Sequence, residues 1–213
     1  MPRAIAGINL PQKELMSATV QPPMALPRRP NSGKGSESGI WIALFAITMS
    51  FAAFTSALFI RQASTDWTHI AAPPVLFVST AVLLVSSLMI EMGRHGFDGK
   101  PISQIEERGK GLVLLTATLV LGLAFVGGQY LAWRELAAQG LYLATNPNSS
   151  FFYLLTGVHA LHVLGGIAAL AYLLAQLAAR SSVRRNLVNG VVVYWHFMAA
   201  LWLYLLVVIC VRL

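Results

Sequence analysis

Two histidines lie three residues apart within one long apolar run of the sequence. His159 and His162 belong to "FFYLLTGVHALHVLGG" (151–166), and a third, His196, stands in "YWHF" of the next apolar run. Residues spaced i, i+3 share one face of a helix, and imidazole nitrogens ligate haem iron and copper. The residue types therefore allow a haem or metal site.

A second interpretation is that each neutral imidazole hydrogen-bonds a neighbouring helix and so fixes the register of a bundle. At 1.5 Å per residue, His159, His162 and His196 would lie about 12, 17 and 14 Å inside their spans, so a haem between His162 and His196 is geometrically allowed. Two adjacent histidines and one distant one fit a bis-histidine haem poorly. We favour the structural interpretation and predict no catalytic, cofactor-binding or metal-binding residue; a haem or metal role, and a proton or lipid role, stay open as alternatives.

The elements that carry these histidines are membrane spans. The chain is 56% hydrophobic and 11% charged, whereas soluble domains average about 25% charged. Five stretches reach the roughly 20 apolar residues that a bilayer requires of a helix, and none alternates in polarity as a barrel strand would. The spans are 40–60, 71–90, 111–133, 151–177 and 187–211. The predicted fold is an all-α, polytopic bundle of five transmembrane helices.

The basic residues predict the orientation of these spans. Cationic loops are retained in the cytoplasm, and only Arg61, Arg134 and Arg212 of the 15 Lys and Arg residues fall on the opposite side. We therefore expect a cytoplasmic N terminus and an external C terminus. The net charge of +7 then reflects topology, and no nucleic-acid partner is expected. Arg94 and Arg180, at cytoplasmic span ends, are candidate ligands of lipid headgroups.

The N-terminal segment differs in composition from the rest. Residues 1–38 are rich in Pro, Gly and Ser, so they predict a disordered cytoplasmic tail, with no cleavable signal peptide. Residues 39–213 then form the five-helix domain. The single cysteine, Cys210, excludes an internal disulfide and a thiolate metal cage.

Several runs together resemble one family. "SSFFYLLTGVHALHVLGG" followed by "YWHFMAALWLYLLV" resembles the last two helices of subunit III of haem-copper cytochrome c oxidases, with their TG-x-H-x-x-H and W-H-F segments. "LGLAFVGGQYLAWREL", with Gln129 and Glu135, is similar to the family's preceding helix, and "APPVLFVSTAVLLVSSLMIE" to the one before that. The likeness covers about residues 40–212 and matches the five-helix bacterial form.

The resemblance implies an accessory subunit of a respiratory oxidase in the bacterial inner membrane. Its partners would be subunit I, which holds haem and copper, subunit II, membrane phospholipids that bind in a cleft, and cytochrome c as electron donor to the complex. This chain would carry no redox centre, and it would support oxygen reduction and proton pumping by subunit I. His159, His162, His196, Gln129 and Glu135 would then be internal polar positions.

Two positions depart from the family pattern. Ile47 stands where the first matching helix usually carries a glutamate, and Ala199 replaces the acid of W-H-F-x-D. A proton-related role for an intramembrane acid is therefore not expected. An accessory subunit of a nitric oxide reductase and an autonomous haem b membrane protein stay as alternatives.

Overall fold

The structure is a computed structural model that describes residues 32–63, 72–95, 105–179 and 185–212. Within these ranges the chain forms five α-helices and no strand, and each helix is long and apolar enough to cross a membrane. This confirms the prediction of an all-α bundle of five membrane spans. The helices are α1 (Ser32–Arg61), α2 (Val75–His95), α3 (Ile105–Ala138), α4 (Pro147–Ala178) and α5 (Arg185–Arg212).

Two helices begin at residues other than those predicted, one because of prolines and one because of a capping residue. The second span was predicted from residue 71, but α2 begins at Val75, after two prolines that cannot donate to a preceding turn. The fourth begins four residues earlier than predicted because Asn146 caps it: Ser149 N–H donates to Asn146 Oδ1 at 2.8 Å, and Ser149 Oγ lies 3.3 Å from the Asn146 backbone N. Such a reciprocal cap satisfies two backbone donors that the helix leaves unpaired.

Of the predicted tail, residues 1–38, the segment 1–31 lies outside the described residues. α1 already begins at Ser32, before the predicted boundary at residue 38. The division into a tail and a 39–213 domain stays a prediction.

Four helices form a closed ring. α2 packs on α3, α3 on α4, α4 on α5, and α5 returns to α2. Close approach is visible at Gly128 of α3, where a Cβ atom would lie 2.8 Å from the Cβ of Ser79 on α2. In lipid, helices attract one another by such close packing, which small residues permit.

Indole–hydroxyl hydrogen bonds tie the ring together. Trp195 and Trp202 on α5 are buried, and their Nε1–H groups donate to Ser86 Oγ at 3.1 Å and to Thr80 Oγ1 at 2.8 Å, both on α2. Between α3 and α4, Trp133 Nε1–H donates to Thr156 Oγ1 at 2.9 Å. A buried indole needs a partner for its N–H, and each of these partners comes from a neighbouring helix.

α1 is attached to the ring differently. In the described residues, no Cα atom of α1 comes within 8 Å of a Cα atom on α2–α5. Long side chains bridge the gap: Phe51 reaches α4, and Tyr204 of α5 donates its hydroxyl to Thr55 Oγ1 at 3.1 Å. The aromatic side chains therefore act as spacers between α1 and the ring.

Candidate functional site: the intramembrane polar residues

His159 lies at the centre of the bundle and is fully buried. Its ring packs on Trp202 of α5, with centroids 5.1 Å apart, and contacts Phe125 of α3 and Phe51 of α1 at 6.0 and 6.4 Å. Neither ring nitrogen has a hydrogen-bond partner among the described residues. The expected internal hydrogen bond is therefore not seen for this histidine, which is enclosed by aromatic rings.

His162 is half-buried, and its Nδ1 lies 2.7 Å from the carbonyl oxygen of Val158 in its own helix. The contact with a neighbouring helix comes from elsewhere, because the Tyr194 hydroxyl of α5 donates to the His162 carbonyl at 2.9 Å. This region of α4 is thus joined to α5 by a tyrosine and a backbone carbonyl.

His196 belongs to a hydrogen-bonded cluster between α5 and α2. Its Nε2–H donates to Glu91 Oε2 at 3.1 Å, and its Nδ1 lies 2.6 Å from Ser87 Oγ. With a neutral ring, Ser87 is then the donor to Nδ1, an arrangement that gives both ring nitrogens a partner. This imidazole therefore joins α5 to α2.

Glu91 is the centre of that cluster. Its Oε1 accepts from Arg94 Nη2 at 2.5 Å and lies 3.3 Å from His95 Nε2. The carboxylate therefore faces one guanidinium and two imidazoles. We call Ser87, Glu91, Arg94, His95 and His196 the Glu91 cluster.

The remaining predicted positions lie elsewhere. Gln129 is buried in α3, where its Nε2–H donates to Ser79 Oγ at 3.4 Å and its Oε1 has no partner among the described residues. Glu135 is partly buried near the end of α3. Arg180 lies outside the described residues, so its predicted contact with a headgroup stays a prediction.

The arrangement gives no support to ligation of a haem by His162 and His196. Both nitrogens of His196 are engaged, by Glu91 and by Ser87, so this imidazole offers no nitrogen to a haem iron. In the described ranges no group of three or more His, Cys, Asp or Glu side chains is placed to hold a metal ion. The Glu91 cluster also contains a guanidinium, whose positive charge opposes a bound cation.

The two departures from the family pattern occupy apolar surroundings. Ile47 is partly buried against the core, and Ala199 is buried in α5. Neither position offers a carboxylate to the histidines of the bundle.

The sequence reasoning missed the partners of the polar side chains. Ser86 and Ser87 form one pair of hydroxyl residues in an apolar run, and Thr80 belongs to another with Ser79. Nothing in their spacing indicates that Ser87 bonds a histidine or that Ser86 and Thr80 accept from two tryptophans. A usable signal was present in the tryptophans, because a buried indole N–H requires an acceptor.

The sequence of the five-helix bundle is similar to that of known proteins. Residues 34–212 match the model of the family described as cytochrome c oxidase subunit III. The chain belongs to the cytochrome c oxidase subunit III family. The match takes in nearly the whole described bundle, and it confirms the resemblance inferred from the TG-x-H-x-x-H and W-H-F segments.

Individual relatives of the subunit III chain include proteins named after two kinds of oxidase. A probable cytochrome c oxidase subunit 3 of Mycobacterium tuberculosis is 33% identical over 132 residues, 61% of this chain and 62% of the relative. One of Nocardia farcinica is 28% identical, over 77% of this chain and 80% of the relative. A cytochrome bo(3) ubiquinol oxidase subunit 3 of Pseudomonas aeruginosa is 27% identical, over 81% and 83%. The alignment with the mycobacterial protein spans less than two thirds of that protein's length.

Proposed function

We propose that this chain is the accessory transmembrane subunit III of a bacterial respiratory haem-copper oxidase. It packs beside subunit I, which holds the haems and copper that reduce oxygen, and subunit II completes the complex. The observation that carries the proposal is the family match over residues 34–212. The engaged nitrogens of His196 and the aromatic enclosure of His159 support a role without a redox centre in this chain.

The proposal includes cytochrome c as the electron donor of the complex. Relatives named for cytochrome c oxidases and relatives named for quinol oxidases both match, so a quinol is the second candidate donor. Oxygen consumption by the purified complex with reduced cytochrome c, compared with a reduced quinol, separates the two.

The proposed orientation places the N terminus in the cytoplasm of the bacterial cell and the C terminus outside. It is supported by the Arg and Lys bias of the loops. In this orientation Arg94, in the last turn of α2, lies at the cytoplasmic headgroup level, where a guanidinium binds phospholipid phosphate.

The test of the proposed function is purification of the tagged chain from its native membranes in mild detergent. The expected result is recovery of a larger protein that contains haem and copper, with oxygen consumption. The chain separated from its partner is expected to be colourless. A Soret band on the isolated chain would favour the autonomous haem b protein instead.

A further inference from the structure

The connection between α3 and α4, residues 139–146, contains no charged residue. Each of the other three connections between helices contains at least one, such as Asp66, Asp98 and Arg180. Two large side chains of the α3–α4 connection are exposed instead, Tyr142 by 61% and Leu143 by 59%; we call this pair the loop tip. Such a composition differs from that of a connection surrounded by water, where polar and charged residues are expected.

The backbone of the connection is hydrogen-bonded within the protein. Gly140, at φ 78°, is in the left-handed region that glycine adopts without strain, and the chain turns back here so that the Leu141 N–H donates to the Leu136 carbonyl oxygen at 3.1 Å. Hydroxyl groups donate to three carbonyl oxygens of the connection: Thr145 Oγ1 to Gly140 (3.2 Å), Ser149 Oγ to Tyr142 (2.7 Å) and Ser150 Oγ to Leu143. These partners lower the cost of moving the segment out of bulk water, because an unpaired peptide group is costly in apolar surroundings.

The returning part of the connection lies at the level where the apolar span of α3 ends. Tyr153 Oη is 2.9 Å from the carbonyl oxygen of Leu141 and 3.2 Å from that of Trp133. Trp133 is the last residue of the apolar stretch 111–133, and the exposed Arg134 follows it. Because arginine side chains at span ends extend to the headgroups, the loop tip stands beside the boundary between headgroups and hydrocarbon.

The chemistry of the loop tip suits a phospholipid surface. Leu143 is apolar throughout, and Tyr142 combines an apolar ring with a hydroxyl group, the combination that is enriched where membrane meets water. The connection has no charge with which to form an ion pair with another protein. The bilayer is also adjacent to it, because α3 and α4 are both membrane spans.

We infer that the loop tip anchors the α3–α4 connection in the membrane interface, with Tyr142 and Leu143 inserted among the phospholipid headgroups as far as the start of the acyl chains. In the proposed orientation these headgroups belong to the outer leaflet. The headgroup level is hydrated, so Ala144 beside the loop tip stays accessible to aqueous reagents. The anchor requires the membrane spans but no oxidase partner, so it goes beyond the proposed function and does not rest on it.

A fluorophore at the loop tip reports whether lipid, water or protein covers it. In a Cys210→Ser background, Leu143→Cys is labelled with a nitrobenzoxadiazole dye, and Tyr142→Cys gives a second position within the loop tip. Gln139→Cys is the matched control, because Gln139 is exposed in the same connection before the chain turns back at Gly140. Thermal melting identifies the labelled variants that fold like wild type.

The full-length chain, alone and in its purified complex, is reconstituted in phosphatidylcholine vesicles. Part of the phosphatidylcholine carries a spin label near the headgroup end of an acyl chain. Quenching of the dye by this lipid, and separately by aqueous iodide, is measured at each position.

The spin-labelled lipid is expected to quench the dye at the loop tip about twofold or more and to quench it less at Gln139, with the reverse order for iodide. The same pattern is expected in the chain alone and in the complex. Lipid quenching that is lost in the complex would overturn the inference, because a protein would then cover the loop tip. Stronger iodide quenching at the loop tip than at Gln139, or equal lipid quenching at both, would also overturn it.

Discussion

The three intramembrane histidines occupy three different environments. His159 is enclosed by aromatic rings, His162 is bonded to its own helix, and His196 joins α5 to α2 through Glu91 and Ser87. Similar depth, and for His159 and His162 a shared helix, therefore did not give the histidines a shared role. What decides the role of each imidazole is the set of side chains that the neighbouring helices bring to it.

His159→Leu is expected to leave thermal stability unchanged or to raise it. The imidazole has two buried nitrogens without partners among the described residues, and an unpaired buried polar group costs about 1–3 kcal/mol. Leucine removes that cost and still fills the site. His159→Ala is the control, and it is expected to lower stability by about 2 kcal/mol or more because it leaves a cavity.

Thermal melting of the purified chain in detergent measures both His159 variants. A Leu variant destabilised as much as the Ala variant would mean that the imidazole has a polar partner in the folded protein.

Glu91→Leu is expected to destabilise the bundle, in contrast to His159→Leu. The substitution leaves His196 Nε2–H and the Arg94 guanidinium without their acceptor, and a donor that loses its acceptor costs more than the removal of both partners. Glu91→Gln keeps an acceptor oxygen and is expected to retain more of the stability. Melting temperatures in the order wild type, Gln, Leu test this; a Leu variant as stable as wild type would contradict it.

At the scale of the helices, contact between α2 and α3 depends on which of two adjacent glycines faces the partner. Gly128 lies against Ser79, whereas a Cβ atom at Gly127 would meet nothing within 4 Å. The sequence shows a Gly-Gly pair, and small residues in membrane spans predict close packing. Only the rotation of α3 about its axis decides which member of the pair makes the contact.

Gly128→Ala is therefore expected to destabilise the bundle by about 1–3 kcal/mol, the usual cost of overpacking. The new methyl group would meet Ser79 Cβ at 2.8 Å, and a Cβ atom cannot move aside without its backbone. Gly127→Ala is the matched control and should change stability by no more than about 0.5 kcal/mol. Chemical or thermal unfolding of the two variants measures the difference; equal effects would contradict the assigned rotation of α3.

At the scale of the whole molecule, a ring of four helices carries α1 on one side through aromatic side chains. The Trp195 and Trp202 indoles join α5 to α2, and Phe51 and Tyr204 connect α1 to the ring. α5 thus contacts α4, α2 and α1. α4 likewise contacts α3 and α5, and it contacts α1 through Phe51. α1 therefore lies on the α4 and α5 side of the ring.

The proposed orientation predicts which loops a membrane-impermeant thiol reagent labels. In a Cys210→Ser background, Ala144→Cys in the α3–α4 connection is expected to be labelled in intact spheroplasts. Gly109→Cys, near the start of α3, is expected to be labelled only after permeabilisation. Both positions are exposed in the structure, so a difference in labelling reports the side of the membrane. The reverse pattern would place the N terminus outside.

The sequence by itself determined the class of the protein, the number of spans and the family. These properties follow from local composition, because each span needs only enough consecutive apolar residues to satisfy its own backbone in lipid. The motif spacing around His159, His162 and His196 was likewise readable along the chain.

Only the tertiary structure decided the partners: Glu91 and Ser87 for His196, aromatic rings for His159, and Ser79 for Gly128 rather than Gly127. In a membrane span, the side that faces lipid and the side that faces other helices are both mainly apolar. The distribution of hydrophobic residues along the span therefore does not reveal which side faces the other helices. The rotation and vertical offset of each helix are set by side-chain packing and hydrogen bonds between helices, and those contacts join residues far apart in the chain.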